Sequence, residues 1–264
     1  MDLSTPVVMG ILNITPDSFF DGGRYTDEKE MLHHVEKMIG EGAAIIDVGA
    51  QSTRPGATLL TAEEESARLA PALKTLRTTF PGAVFSVDTF YAEVAKMAVN
   101  EGAGLINDIS GGSIDDNMFD TVAALQVPYI VMHMQGTPQT MQKDPHYNDV
   151  VKEVFDIFID RVSRLRSKGV DDIIIDPGFG FGKNTEHNYA LLNHLELFSM
   201  LDCPLMAGLS RKSMINKVLN TKAADALNGT TVLNTIALLK GAKILRVHDV
   251  KEAVEAVKLV KQMV

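Results

Sequence analysis

Three observations in this sequence predict an α/β fold closed as a single-domain (β/α)8 TIM barrel over residues 1–264, with its functional site at the C-terminal rim of the strands. Eight short runs dense in Val, Ile and Leu recur without polar–apolar alternation, as strands covered on both faces do. Between the runs, apolar residues return at helical spacing, so strand and helix alternate. No linker, low-complexity stretch or shift of composition breaks the series, and 264 residues is a length that one α/β barrel fills. A doubly wound open sheet shares the alternation, so pattern alone leaves both architectures open.

The first run is VVMGILN, from Val7 to Asn13. It starts so early that almost nothing precedes it to close the bottom of a barrel, which raises the expectation of a trimmed N-terminus. Met31, Val35, Met38 and Ile39 then mark a helix, followed by AAIIDVGA ending at Ala50. Leu69, Leu73 and Leu76 mark the second helix. The runs AVFSVD, AGLINDIS, PYIVMHM, DIIIDPG, PLMAGLS and AKILRVHD follow in turn, each with a helix-like segment behind it. The last helix shows Val250, Val254 and Val257 on one side.

Composition narrows the function. A formal net charge of −9 argues against nucleic acid as a partner, though an anionic small molecule can still bind where cations are local. Cys203 is the one cysteine, so no intrachain disulfide forms and a reducing compartment is expected. No run approaches the length of a membrane helix, and no stretch reads as a signal peptide, so a cytoplasmic protein is expected. The sequons at Asn13 and Asn228 therefore carry no weight.

Parallel α/β folds bind ligands beyond the carboxyl ends of their strands. Those ends carry Asn13, Asp47 with Gln51, Asp88, Asn107, His133, Asp176, Ser210 to Ser213, and Arg246 with His248. Any one of them serves as well for a helix cap or a turn. Eight such groups at successive strand ends favour a site.

The stretch IIIDPGFGFGK sharpens that reading. It is not a Walker loop: three residues separate Gly178 from Gly182, and Asn184 follows Lys183 where Ser or Thr belongs. It is not a dinucleotide fingerprint, because Lys183 occupies the third glycine position. The glycines suit a tight turn that brings backbone and Phe181 near a flat ligand, with one of Phe179 and Phe181 given to the core. Asp176 ends a buried strand and needs a partner there. An internal arginine would serve, and so would a ligand with two parallel N–H donors, such as the 2-amino-4-oxo edge of a pterin. Asn107 offers a donor and an acceptor to such an edge. Cations gather near strands seven and eight: SRKS opens a helix, and RVHD sets Arg246 and His248 on one face as the strand ends. Barrels often bind phosphate at that corner. No cluster has transition-metal spacing, whereas Mg2+ accompanying a diphosphate needs only one or two protein oxygens, for which Asn13 is a candidate. NITPDSFFDGGRY and QSTRPGA read as rim loops.

Taken together, GILNITPDSFFDGG, DVGAQSTRPGA, SVDT, INDIS, MHMQGTP, DPGFGFGK, SRKS and RVHD resemble the dihydropteroate synthase family in order, from about Val7 to Val257. The resemblance implies a homodimeric TIM barrel. It also implies a transferase that joins p-aminobenzoate to 6-hydroxymethyl-7,8-dihydropterin pyrophosphate, releasing pyrophosphate by a dissociative route. Asp88, Asn107, Asp176 and Lys212 are similar to the pterin-pocket residues, with Met132 and Phe181 lining the pocket and its mouth. Asn13, Arg246 and His248 are similar to the pyrophosphate site, with Mg2+ near Asn13. Thr53, Arg54, Pro55 and Ser213 would surround p-aminobenzoate, and Asp88, Lys212, Arg246 and Arg54 would carry the chemistry. Sulfonamides that mimic p-aminobenzoate are expected to bind, with Thr53, Pro55 and Phe181 shaping the response.

Two departures stand out. Gln51 replaces the glutamate common in the family, which is expected to alter loop charge more than chemistry, and the family's N-terminal hairpin is largely missing. Two further readings are a pterin-binding methyltransferase domain and a non-catalytic pterin-binding paralogue. The first would not need Thr53, Arg54 or the anion corner, and the second should have lost Lys212, Arg246 or the first loop.

Overall fold

The computed structural model describes residues 2–14, 24–51 and 58–263. Eight strands close into a barrel in chain order: β1 (Val7–Asn13), β2 (Ile45–Gly49), β3 (Val84–Asp88), β4 (Leu105–Asp108), β5 (Tyr129–Met132), β6 (Ile173–Asp176), β7 (Leu205–Ala207) and β8 (Ala242–Val247). Every neighbouring pair is parallel, and β1 pairs with β8 from Val7↔Ile244 onwards, which settles closure against an open sheet. The runs lack alternation because one face of each strand lines the interior while the other lies under helices. Met9, Ile45, Leu105, Ile130, Ile174, Met206 and Ile244 fill the lower interior, and Leu3 and Val7 pack against that layer. The short lead into β1 thus contributes to the bottom of the barrel.

The helices are α1 (Arg24–Glu41), α2 (Ala62–Thr79), α3 (Ala92–Asn100), α4 (Met118–Leu125), α5 (Val150–Ser167), α6 (Thr185–Asn193), α7 (Ser213–Leu219), α8 (Leu227–Leu239) and α9 (Val250–Val260). α2 opens with a reciprocal cap between Thr61 and Glu64 and buries Leu69, Leu73 and Leu76. α1 buries Met31, Val35 and Met38. Between β7 and β8 the chain departs from one strand, one helix: α7 is followed by a 3-10 turn and then by α8. In α9 the fully buried stripe is Val250, Ala253, Ala256 and Val260, with Val254 and Val257 on its flank. The small alanines allow α9 to lie close to β1. A Cβ on Gly10 would come 2.6 Å from Met38 Sδ and 3.1 Å from Val250 Cγ2, so a larger residue there would make the Met38 side chain shift where both helices press on the strand. Among the described residues no helix is long and apolar enough to cross a membrane.

Candidate active site

The floor of the upper barrel is an ionic cluster built from four strands, β2, β3, β4 and β8. Register sets Gly49 beside Asp88 and Asp88 beside Asn107, at one height. Asp47 lies lower on β2 and is fully buried. Arg246 donates from Nε to Asp47 Oδ2 at 2.6 Å and from Nη2 to Asp88 Oδ2 at 2.8 Å. Asn107 Nδ2 donates to the same Asp47 oxygen at 2.9 Å. Among the described residues, Asp47 Oδ1 and Asn107 Oδ1 are buried without any hydrogen-bond partner. Burial pushes Asp88 up to about 7, against the pull of Arg246. Burial also acts to lower Arg246, but Asp47 and Asp88 more than offset it, so the guanidinium stays charged.

The wall comes from the turns after β5 and β6. Asp176 Oδ1 accepts from its own turn, at Gly178 N, 2.8 Å away. Among the described residues no arginine hydrogen-bonds to it; Lys212, and after it Arg246, opposes the effect of burial on its carboxyl. Burial, followed by the field of Arg246, lowers Lys212 to about 8. The Lys212 ammonium stands 4.2 Å from the centroid of the Phe181 ring, a cation–π distance. Phe179 is buried in the core outside the barrel, so the two phenylalanines divide between core and pocket. Phe90, Ile109, Met132, Met134 and Met141 form an apolar cup, with Leu59, Tyr91, Ile114 and Phe181 at its edge. Of these, only Met132 and Phe181 stand out in the sequence. The signal for three others is periodic: Phe90, Ile109 and Met134 each sit two residues beyond Asp88, Asn107 and Met132, on the same inward-facing side.

The cation corner is narrower than SRKS suggests. Arg211 adopts a left-handed backbone (φ 56°) and turns away, binding Asp249 at 2.7 and 2.9 Å and the carbonyls of Ala223 and Ala224. Lys212 caps α7, and Ser213, its first residue, is exposed. His248 N donates to Ser210 Oγ at 3.2 Å, and the hydroxyl lies 3.1 Å from His248 Nδ1. With Nδ1 accepting that hydroxyl, Nε2–H remains as a donor. His248 lies at the exposed rim; partial desolvation by its surroundings, then the charge of Arg246, lowers its imidazole below the usual range and favours the neutral ring. Asn13 ends β1 with an exposed side chain. Thr53, Arg54 and Pro55, and most of the first rim loop, lie outside the described residues.

Two expectations need correction. Gln51 is not an open loop side chain: it is buried and tied down, so the amide that stands in place of a carboxylate has a structural part to play. Its Nε2 donates to Glu65 Oε2 at 2.7 Å and to Leu60 O at 3.1 Å, while its Oε1 accepts from Leu60 N at 3.0 Å. The amide thus joins both ends of the loop that carries Thr53, Arg54 and Pro55. Burial raises Glu65 to about 7 in that setting. His133, expected at the rim, is buried and turned to Lys183, with Nζ and Nδ1 2.8 Å apart. The lone Cys203 is buried just before β7, at the opposite end of the strands from the site. Among the described residues no group of three or more His, Cys, Asp or Glu side chains is placed to hold a metal ion.

A barrel whose strand ends offer acceptors beside two cations and an apolar cup defines a class, that of the pterin-binding barrel enzymes. Residues 9–248 match the family model described as pterin binding enzyme. The dihydropteroate synthase of Escherichia coli (strain K12) is 45% identical over 99% of this chain and 93% of its own. Among solved structures, dihydropteroate synthase of Yersinia pestis with a sulfonamide drug superposes with a TM-score of 0.92 at 42% identity, covering 100% of this chain and 96% of that one. The Xanthomonas albilineans enzyme in complex with 7,8-dihydropteroate gives a TM-score of 0.88 at 37% identity, over 100% and 95% of the two chains. The chain belongs to the dihydropteroate synthase family of transferases.

Proposed function

We propose that residues 1–264 form one pterin-binding domain that condenses 6-hydroxymethyl-7,8-dihydropterin pyrophosphate with p-aminobenzoate, giving 7,8-dihydropteroate and pyrophosphate. The observation that carries the reading is the pair of acceptors at the top of β4 and β6. Asn107 Oδ1 is buried without a donor among the described residues, and Asp176 is held by a single backbone amide. A buried acceptor left unpaired costs roughly 1–3 kcal/mol, which a heterocycle edge bearing N–H donors recovers. The apolar cup suits the flat ring, and Phe181 with Lys212 closes its open side.

The C–O bond to pyrophosphate breaks first in this scheme, leaving positive charge on the pterin methylene. The p-aminobenzoate nitrogen then forms the new C–N bond and loses a proton. Asp47, Asp88 and Asp176 place negative charge around the developing cation. Arg246 holds its guanidinium in readiness between Asp47 and Asp88, and His248 Nε2–H offers a neutral donor to the leaving oxygens. Asn13 supplies a hard oxygen that fits Mg2+ beside a diphosphate; bound there, the ion would neutralise leaving-group charge. Thr53, Arg54, Pro55 and Ser213 are assigned to p-aminobenzoate, the first three on the loop whose ends Gln51 joins. Sulfonamides compete at that subsite. The two pterin-binding alternatives lose ground to Lys212 and Arg246, since neither reading calls for both.

The exposed apolar side chains of Val218 and Leu219 on α7, and of Val232 and Leu239 on α8, support a homodimer through these helices. A cytoplasmic enzyme without nucleic-acid or membrane partners is the matching assignment. Calorimetry tests the pterin site. Asp176→Asn should weaken binding of 6-hydroxymethylpterin at least about tenfold, a loss of about 1.4 kcal/mol. Wild-type affinity in that variant would remove the basis of the reading.

A further inference from the structure

We propose that Lys183 is a positioning residue for the pterin wall: its side chain clips the turn after β6 to the turn after β5 and thereby holds Phe181 over Lys212. The inference rests on the pterin reading and names a residue that reading leaves without a role. Lys183 ends the glycine-rich stretch, where a lysine invites assignment to a phosphate. Its surroundings exclude that. The side chain is buried, and Nζ reaches Gly178 O at 3.0 Å, Phe181 O at 3.0 Å, His133 O at 3.3 Å and His133 Nδ1 at 2.8 Å. All four partners belong to the protein. Two carbonyls come from the β6 turn, and the other two acceptors come from one residue after β5.

The alternating glycines complete the seam. A Cβ on Gly178 would lie 1.9 Å from His133 O, and one on Gly182 would lie 2.5 Å from Gln135 O. Both glycines therefore face the β5 turn, at a distance that only two backbones in contact allow. Gly180 faces the other way, where a Cβ would meet Lys212 Cδ at 3.1 Å. The turn is thus wedged between a seam on one side and Lys212 on the other, and Phe181 N donates to Gly178 O at 3.1 Å within it. Remove the Nζ donor and three carbonyls at the seam lose a hydrogen bond in a buried place. The turn that carries Phe181 is then free to shift. Burial, with Lys183 next, holds His133 well below the usual imidazole range, so a neutral ring is present as the fourth partner.

Calorimetry with 6-hydroxymethylpterin on the full chain tests this through a double-mutant cycle. Lys183→Met keeps the side-chain length and removes the donor. It should raise the pterin Kd at least about tenfold in the wild-type background and have little further effect in a Phe181→Leu background. A purely structural lysine would lower the melting temperature of both backgrounds alike, and its effects on Kd would multiply. Multiplicative effects, or a folded Lys183→Met that binds as wild type, would overturn the proposal. If Lys183→Met does not fold, the same cycle with His133→Phe, which removes the Nδ1 contact and leaves the three carbonyls in place, reads the same coupling. Asp176→Asn serves as reference. If it weakens binding while Lys183→Met does not, the positioning role fails alone; if neither variant weakens binding, the pterin reading fails with it.

Discussion

Replacing Arg246 by methionine strands two carboxylates that now share one guanidinium. The side chains of Arg246, Asp47 and Asp88 are 19%, 0% and 16% exposed, so water screens the cluster little. Removing one partner of a buried ion pair costs about 3–5 kcal/mol, because the remaining charge stays desolvated. Part of that cost is escapable by protonation. Asp88 already stands near 7, and Arg246 is what pulls it down. Without Arg246 the native-state value rises further. A raised carboxyl contributes stability below its unfolded value and loses it as pH climbs through the folded value. A tenfold difference in proton affinity between the two states is worth about 1.4 kcal/mol. The penalty of Arg246→Met should therefore be smaller near pH 6 and grow by about 1–2 kcal/mol towards pH 8.5. Urea unfolding followed by far-ultraviolet circular dichroism at both pH values reads this directly. Turnover should fall about 10²–10³-fold if the guanidinium stabilises the leaving group. Wild-type stability at both pH values would refute the idea that the floor is one electrostatic unit.

Three other outcomes are expected. Glu65 is raised from 4.5 to about 7 by burial, so its native state keeps a proton that the unfolded chain releases, and stability drains as pH rises through that window. Glu65→Gln should flatten that part of the pH–stability curve by up to about 3 kcal/mol, and an unchanged slope between pH 5 and pH 8 would contradict the assignment. Gly178→Ala forces a side chain into a left-handed backbone (φ 72°) and against His133 O, so a loss of about 2–5 kcal/mol is expected in thermal unfolding. Lys212→Ala should weaken pterin binding, while Arg54→Ala should chiefly lower kcat; calorimetry and steady-state kinetics separate the two, and wild-type behaviour in both would cancel these roles.

Much of the fold was legible because two-sided burial leaves strands without alternation, and the helices between them carry clear stripes. The misreadings have physical causes. In α9 the valines drew attention, yet Ala253 and Ala256 face the barrel because the helix lies too close for larger groups. The sequence places Asp47, Asp88, Asn107 and Arg246 near strand ends, but the cluster they form below the rim, with Arg246 shared by Asp47 and Asp88, depends on register between strands far apart in sequence. Arg211 looked like part of the cation corner, and only its left-handed backbone and its bond to Asp249 take it out. His133 read as an open strand-end group because ionisable residues usually face water, and Lys183 entered only as the residue that breaks two phosphate-loop motifs. Here they satisfy each other and a set of carbonyls that no local pattern reveals. Gln51 read as a change of loop charge, and its buried bonds to Glu65 and Leu60 depend on contacts that no local pattern reveals.

The reaction proposed for this site expels pyrophosphate from a pterin and hands the carbon to an arylamine. The most direct test measures pyrophosphate release from 6-hydroxymethyl-7,8-dihydropterin pyrophosphate with Mg2+, with and without p-aminobenzoate, alongside chromatography of the products. Pyrophosphate and 7,8-dihydropteroate should appear in equal amounts when p-aminobenzoate is present. Tight pterin binding with no pyrophosphate released under either condition would contradict that reaction.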